Sequence, residues 1–145
     1  MNEFINQDIN NPKYLFHGSD KLLDELVVMQ SHDSDNNNAN IDNAVFLTSS
    51  FIGASPYCFK ETIKRKSGCL KWNFNINYTG KIPVMTMTNV VVDDDIEGYI
   101  YVFKYDKSFV NDPVGSLQYK SYKTLKPIDK VKVKYKDFKQ YYKED

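Results

Sequence analysis

One short segment of the sequence ends in residues that are well suited to contact a ligand. The apolar run at residues 14–16 stops at His17, and Gly18 and Ser19 follow directly. A strand that ends at a histidine presents the imidazole at the end of its sheet, where a pocket can form. Gly18 lacks a Cβ, so the backbone can turn there and approach a ligand closely. The segment therefore predicts a strand whose end contributes to a binding site.

A second strand-like segment is followed by a predicted helix. Residues 45–48 form a run that leads into Ser49, and the segment at 51–59 contains Tyr57 shortly after Pro56. Because one strand end and one helix start follow each other directly, the two can border the same site. The second segment therefore supports interpreting the end of the first segment as part of a binding site.

Together the two segments resemble the ADP-ribosyltransferase fold. In that family the first strand ends in a motif of the Tyr-His-Gly-Ser/Thr type. A second strand ends in Phe-Ala-Thr/Ser and precedes a helix with Ala-x-x-Tyr. Both patterns are short, so their occurrence in the family's order carries the resemblance. The matching residues are Phe16-His17-Gly18-Ser19, Phe46-Leu47-Thr48-Ser49 and Ala54-Ser55-Pro56-Tyr57.

The resemblance implies that NAD is the substrate and that both motifs bind it. His17 would hydrogen-bond a ribose hydroxyl, Gly18 would offer its backbone N–H and C=O to the nicotinamide amide, and Tyr57 would stack on the nicotinamide ring. The other implied binding residues, at the two strand ends, are Ser19, Thr48 and Ser49.

His17 and Tyr57 each have a purely structural explanation as well. A histidine at a strand end is commonly satisfied by a local hydrogen bond, and a tyrosine on a helix commonly packs on the helix face. The joint appearance of both motifs in the family's order favours the ligand-binding interpretation.

The third matching segment contains a departure from the family. ADP-ribosyl transfer breaks the nicotinamide–ribose bond through a transition state that resembles an oxocarbenium ion. A carboxylate beside the ribose stabilises that positive charge, and the family usually supplies it from a Glu-Tyr/Trp-x-Ser segment on a late strand. Here Gln118 stands at the implied Glu position and joins His17 and Tyr57 as the implied catalytic residues. Glutamine keeps a hydrogen bond to a ribose hydroxyl but lacks the charge.

The neutral Gln118 leaves several functions open. The first is an NAD-dependent ADP-ribosyltransferase whose acceptor the sequence does not name. The second is a non-catalytic module of the same fold that binds a nucleotide or a protein. The third is a relative of RNA 2'-phosphotransferases, for which Lys13 and Lys21 are the basic residues near the first motif. Asp112 and Glu97 are candidate carboxylates to replace the missing charge.

The elements that hold these residues are predicted from periodicity and caps. Early strands are expected at about 13–17 and 44–48, with a short helix at 21–26 capped by Asp20. A longer helix is expected across 50–66, capped by Ser49 or Ser50, with Pro56 suited to its first position. Later strands are expected at 70–78, 84–92, 98–105, 117–122 and 131–138.

This order predicts one α+β domain over residues 1–145, with the ADP-ribosyltransferase-like fold. Two small antiparallel-rich sheets would form a cleft with a few helices. Residues 1–12 are expected to be a loose lead-in. The polar segment at 31–43 is expected to be mobile, as a lid over the site or as a low-complexity insertion.

Two later segments have a clear alternation. Residues 70, 72, 74, 76 and 78 are apolar or aromatic and are expected to share one face. Residues 130–136 alternate lysines with Val131, Val133 and Tyr135, which predicts a half-buried strand with lysines outward, typical of a guarded sheet edge.

Composition narrows the class of protein further. The formal net charge of zero gives no strong nucleic-acid signal. Cys58 and Cys69 have no metal-ligand or disulfide pattern, and the acidic run at 93–95 is interpreted as a solvated turn, so no metal is expected. Neither a secretory signal nor a membrane-spanning run is visible. A cytoplasmic protein is therefore expected, with NAD, an unknown acceptor and no membrane as its partners.

Overall fold

Strands and turns dominate the structure, a computed structural model that describes residues 2–27, 29–30 and 43–145. The described part is a mixed α+β structure with two sheets, which confirms the coarse fold class expected from the sequence. The helices are α1 (Asn2–Ile5), α2 (Phe51–Ala54) and α3 (Pro56–Ser67). The strands are β1 (Tyr14–Ser19), β2 (Met29–Gln30), β3 (Asn43–Thr48), β4 (Asn73–Ile76), β5 (Met85–Thr88), β6 (Glu97–Lys104), β7 (Val110–Asn111), β8 (Gln118–Ser121), β9 (Asp129–Lys134) and β10 (Tyr142–Glu144).

The larger sheet brings β1, β3 and β8 side by side. Its strand order is β7-β8-β3-β1-β6-β9, with β2 paired to β3 outside that row. Neighbouring strands run antiparallel throughout this sheet. The three segments that carry the sequence motifs are therefore adjacent, or one strand removed, although the third lies far from the first two in the sequence.

Strand β1 is buried on both faces. Leu15 lies in one apolar cluster and the next residue, Phe16, lies in the other. On the Phe16 face the ring contacts Phe51 of α2 at a centroid distance of 5.2 Å. A strand covered on both sides needs a continuous apolar run, which explains the composition of residues 14–16.

The smaller sheet has the order β10-β5-β4. β5 is antiparallel to β4 and parallel to β10. The sequence did not predict β10, and the strand expected at 131–138 is wrong beyond Lys134. After β9 the chain passes through 3-10 helices at Tyr135–Asp137 and Lys139–Tyr141 before it joins this sheet.

The helix predicted across 50–66 is divided into α2 and α3. Ser50 caps α2 as predicted, since its Oγ accepts a hydrogen bond from the Gly53 N–H at 2.9 Å. Pro56 lies in the first turn of α3, also as predicted. The break places Ser55 between the two helices and gives the chain a new direction just before Tyr57.

The N-terminal segment is not the loose lead-in that was expected. Phe4 of α1 is 6% exposed and its ring lies 5.2 Å from Tyr14 and 5.7 Å from Phe16. The side-chain amide of Gln7 donates to the carbonyl oxygens of Tyr14 and Ser49. These contacts tie residues 2–7 to the start of β1 and the end of β3.

The short helix predicted at 21–26 is absent, because its backbone groups are bonded elsewhere. The Leu23 N–H donates to the Tyr101 hydroxyl, which itself donates to the Lys21 carbonyl. Leu26 forms an isolated bridge with Leu125. The segment therefore lies as an irregular cover over the Leu15 face of the large sheet.

Two predicted strands are shorter than expected, and one alternation is confirmed. Phe74 of β4 packs against the core, but Leu70, Trp72 and Tyr78 are exposed. The apolar face predicted for residues 70–78 therefore packs against the core only in the middle of the segment. The strand expected at 84–92 is limited to β5. β9 is an edge strand with Val133 buried, as the lysine alternation predicted.

The polar segment at 31–43 lies outside the described residues except for Asn43, which begins β3. The acidic run at 93–95 forms an exposed turn before β6, as expected.

We expect Phe4→Ala to lower the free energy of unfolding by about 3 kcal/mol, as for other buried aromatic deletions. The reason is that Phe4 fills space between three other aromatic rings. Urea denaturation measures the change. The matched control is Val114→Ala, at a side chain that is 92% exposed, for which little change is expected. A Phe4→Ala protein as stable as this control would contradict the contact.

Candidate functional site

Next to the middle of β1, the end of β3 meets the start of β8, and this junction carries most of the predicted site residues. We call this the strand-end junction, and define it by His17, Gly18, Thr48, Ser49 and Gln118. Thr48 pairs with Phe16 of β1 on one side and with Gln118 of β8 on the other. The structure therefore brings the motif of β3 and the late-strand segment into direct cross-strand contact.

Side-chain direction separates His17 from Gln118. Directly paired residues of antiparallel strands project to the same face, and successive residues alternate. Phe16, Thr48 and Gln118 accordingly share the α3 face, whereas His17 pairs with Tyr101 and belongs to the opposite face. No hydrogen bond joins His17 to Gln118 in the described structure.

The His17 ring is fixed by a backbone carbonyl of β3. Its Nδ1 lies 2.7 Å from the carbonyl oxygen of Phe46. A carbonyl only accepts, so Nδ1 carries the proton and Nε2 is the acceptor of the neutral ring. Burial lowers the pKa of His17 below its ordinary value of 6.5, and the bond to Phe46 offsets part of this effect. The ring is therefore neutral at physiological pH, with Nε2 able to accept a hydrogen bond from a ligand hydroxyl.

The paired part of β1 and β3 ends next to His17. The register between the two strands consists of Phe16 opposite Thr48, while on its other side β1 pairs with β6 along all six residues. The His17 imidazole thus hydrogen-bonds to β3 at a point where a backbone-to-backbone hydrogen bond of the sheet would otherwise lie. It is this local separation of two neighbouring strands that puts a histidine at the junction.

Gly18 lies directly beneath the break between α2 and α3. A Cβ at Gly18 would lie 2.0 Å from the Ala54 carbonyl oxygen and 3.2 Å from the Cys58 sulfur. Gly98 of β6 has the same role, since its Cβ would lie 2.5 Å from the Cys58 Cβ. The two glycines allow the helix to touch the sheet. Sequence reasoning used Gly18 but missed Gly98.

Tyr57 lies on this first turn of α3, between Pro56 and Cys58, and its side chain is 36% exposed. The residue that begins the turn is held from the C-terminal strand: the Ser55 hydroxyl donates to the Ile52 carbonyl and shares a 2.5 Å hydrogen bond with the Tyr142 hydroxyl. Burial raises the pKa of Tyr142, so this phenol stays protonated. The strand that sequence analysis missed thus helps to position Tyr57.

The hydroxyl groups at the strand ends differ in their bonding. Thr48 Oγ1 accepts from the Ser50 N–H, and Ser19 Oγ accepts from the Lys21 N–H. Ser49 is fully buried, and its Oγ has no partner among the described residues. Thr48 and Ser19 therefore shape the backbone of the site, while Ser49 keeps an unused hydroxyl at the end of β3.

Gln118 has a defined orientation. Its Nε2 donates to the Asp112 carbonyl at 2.8 Å. Since that carbonyl can only accept, the amide cannot be reversed without losing the bond. Oε1 is the group of Gln118 that remains to accept a hydrogen bond from a ligand. Gln118 can thus supply an acceptor, as a carboxylate would, but not a charge.

The candidate carboxylates do not replace the charge of a glutamate. Asp112 pairs with Lys120, Nζ to Oδ2 at 2.7 Å, and Glu97 pairs with Lys132 at 3.1 Å, on the far side of β1. Lys120 is 2% exposed and was missed by sequence reasoning, because an alternating strand predicts a solvent-facing lysine there. Its partner lies eight residues away in the sequence and only the fold shows the pair.

The described residues give less support for a cysteine nucleophile or a metal site. Burial raises the pKa of the Cys58 thiol to about 12, so it is protonated and a poor nucleophile. The described residues hold no cluster of three or more His, Cys, Asp or Glu side chains that could bind a metal ion. No helix in the described ranges has the length and apolar character needed to cross a membrane.

Two surface cavities lie away from the junction. One, of about 360 Å³, is bordered by α1 and the start of β1, and the other, of about 350 Å³, by the C-terminal segment. Neither is lined by a residue of the strand-end junction. Their lining residues are Glu3, Gln7, Asp8, Asn11, Lys13 and Tyr14 for the first, and Val92, Asp94, Tyr135, Lys139, Tyr142 and Glu144 for the second.

We expect Gly18→Ala to lower the free energy of unfolding by about 3 kcal/mol, the upper range for overpacking. The new methyl would overlap the Ala54 carbonyl oxygen, a backbone atom that cannot rotate away. Urea denaturation measures the loss. Gly53→Ala is the matched control, because its Cβ would meet chiefly the Ser50 side chain, and a much smaller change is expected. Equal effects of the two substitutions would contradict the close helix–sheet contact.

The lowered pKa of His17 predicts a pH dependence of stability. The unfolded chain binds the His17 proton at a higher pH than the native protein, so the free energy of unfolding falls as the pH drops below about 6.5. Denaturation from about pH 8 to about pH 5 should show a steeper loss in the wild type than in His17→Asn. Asparagine retains an N–H donor for Phe46 but does not titrate. A parallel loss in both proteins would exclude a buried neutral imidazole.

Comparisons with known proteins assign no family to this geometry. No family model matches the chain, and neither a curated protein nor a solved structure matches it. The strand-end junction is therefore interpreted from its own residues, distances and charges.

Proposed function

We propose that this chain has the ADP-ribosyltransferase-like fold and binds NAD at the strand-end junction. It cleaves the bond between nicotinamide and the ribose C1' and forms a new bond from C1' to an acceptor nucleophile. Nicotinamide leaves as the neutral base, and the acceptor loses a proton. The acceptor's identity depends on surfaces outside this junction.

The observation that carries the proposal is the adjacency of the three motif segments. Thr48 pairs with both Phe16 and Gln118, although these residues come from three separate parts of the sequence. Chance matches to three short patterns have no reason to fall on three neighbouring strands of one sheet. The order β8-β3-β1 therefore supports interpreting the motif of β3 and Gln118 as one site. The side chain of His17 leaves β1 on the opposite face, so His17 is the member of the proposed site that this adjacency does not bring to Gln118.

The proposed roles follow from the groups that the junction offers. The Nε2 atom of neutral His17 accepts a hydrogen bond from a ribose hydroxyl. The ring of Tyr57, on the turn that contacts Gly18, stacks on nicotinamide. Oε1 of Gln118 accepts from a hydroxyl of the ribose at which the bond breaks.

A second candidate function is a non-catalytic module of the same fold that binds a nucleotide or a protein. The observation that favours it is the bonding of Gln118, whose Nε2 donates to the Asp112 carbonyl. This side chain is neutral and its amide is held by the backbone. A cationic transition state gains most from a preplaced negative charge, and Gln118 supplies only an oriented dipole.

We expect Gln118→Glu to raise nicotinamide release by about 100-fold, the lower end of the range for one preorganised electrostatic contact. The carboxylate interacts more strongly with the cationic transition state than with the ground state, so the rate rises while NAD affinity changes little. Nicotinamide release at saturating NAD and the NAD-dependent rise in melting temperature measure the two effects. Gln140→Glu, which adds the same charge at an exposed position, is the matched control.

The outcomes separate the two candidate functions. Nicotinamide release by the wild type supports the transferase. A rise in melting temperature with NAD but without release, followed by release in Gln118→Glu, supports the non-catalytic module on a transferase fold. A well-folded protein whose melting temperature is unchanged at millimolar NAD contradicts both NAD-dependent versions.

A further inference from the structure

Lys120 is the most unusual buried side chain near the strand-end junction. It lies on β8, two residues after Gln118, and is 2% exposed. Lysine is almost never fully buried unless it is paired. Its Nζ lies 2.7 Å from Asp112 Oδ2 and 5.5 Å from the centre of the Phe46 ring. The buried ammonium group of Lys120 therefore lies on one face of the sheet, between the Asp112 carboxylate and the Phe46 ring.

Asp112 joins this lysine to Gln118. Its carboxylate binds Lys120, its carbonyl accepts from Gln118 Nε2, and its N–H donates to the Gln118 carbonyl. Gln118 and Lys120 share one face of β8 because they are two residues apart. Asp112 thus contacts both residues at once, through its side chain and its backbone.

The ion pair is not needed to shape the connection between β7 and β8. Asn111 performs that task, since its side-chain amide donates to the carbonyls of Ser116 and Gln118, each at 2.8 Å. Its Oδ1 accepts from the Gly115 N–H. The turn therefore has its own set of hydrogen bonds, which leaves the orientation of Asp112 as the property that depends on Lys120.

We propose that Lys120 is a positioning residue, which holds Asp112 so that the Asp112 carbonyl fixes the Gln118 amide and leaves Oε1 for the ligand. The contribution of this orientation to catalysis or binding rests on the proposed function. The orientation itself does not, because its contacts lie within the protein.

The experiment begins with the side-chain NH₂ resonances of Gln118 in a ¹H–¹⁵N spectrum. Their disappearance in Gln118→Glu identifies them. The test variant is Lys120→Met with Asp112→Asn, which removes both charges of the pair. Neutralising Asp112 alone would leave the buried Lys120 charge uncompensated. The Asp112→Asn substitution keeps the backbone carbonyl and N–H at this position. The control is Lys132→Met with Glu97→Gln, an exposed ion pair of the same sheet.

In the test variant we expect the two Gln118 amide protons to move to the averaged shifts of an exposed glutamine and to exchange with solvent at least about tenfold faster. The control should leave them unchanged. A folded test variant that keeps the wild-type resonances overturns the inference. If the double variant does not fold, Lys120→Met alone, which leaves only the Asp112 carboxylate, 43% exposed to solvent, gives the same readout.

The functional readout is made separately with NAD. If Gln118 Oε1 acts on the reacting ribose, the test variant should release nicotinamide more slowly while NAD affinity changes little. An equal loss of affinity and rate overturns a role specific to the reaction. A wild type that neither binds NAD nor releases nicotinamide contradicts the proposed function alone, and the Gln118 resonances then decide whether Lys120 is a positioning residue.

Discussion

The close contact between α3 and the large sheet is the constraint on which the rest of the structure depends. Two glycines on neighbouring strands, Gly18 and Gly98, leave room for the backbone of residues 54–58, and a Cβ at either would overlap main-chain atoms. Packed interiors tolerate almost no such overlap. The start of α3 therefore has one position relative to the end of β1, and Tyr57 is held one residue away from that contact.

Support for this contact comes from parts of the chain that are remote in sequence. Phe51 and Phe4 fill the space beside Phe16, and Tyr142 bonds Ser55 from the second sheet. Because the N-terminal helix, the break between α2 and α3, and the C-terminal strand meet here, the junction is stabilised by both sheets. A ligand site built on packed elements of this kind needs little reorganisation when a ligand binds.

Local patterns predicted the elements whose signals lie within a few residues. The strands β1 and β3, the Ser50 cap and the place of Pro56 follow from apolar runs and cap chemistry. The rest depended on distant partners. The segment expected to form a helix at 21–26 instead hydrogen-bonds to the Tyr101 hydroxyl, which lies 80 residues from Lys21 in the sequence. Strand β10 forms by pairing in parallel with β5, which is also remote in the sequence. For the candidate site, the sequence motifs predicted roles for His17 and Gln118 but not the faces to which these side chains project, and sequence could not pair Lys120 with Asp112.

The electrostatics of the junction follow from this buried pair. Lys120 and Asp112 compensate each other at 2.7 Å, and both His17 and Gln118 are uncharged at neutral pH, so these groups contribute no net charge. Any stabilisation that Gln118 gives to a developing cation must come from the direction of its amide dipole. Oriented dipoles act effectively only when they are fixed before the reaction. The geometry of Asp112, which sets the direction of that dipole, therefore matters more here than it would beside a glutamate, whose charge acts in every direction.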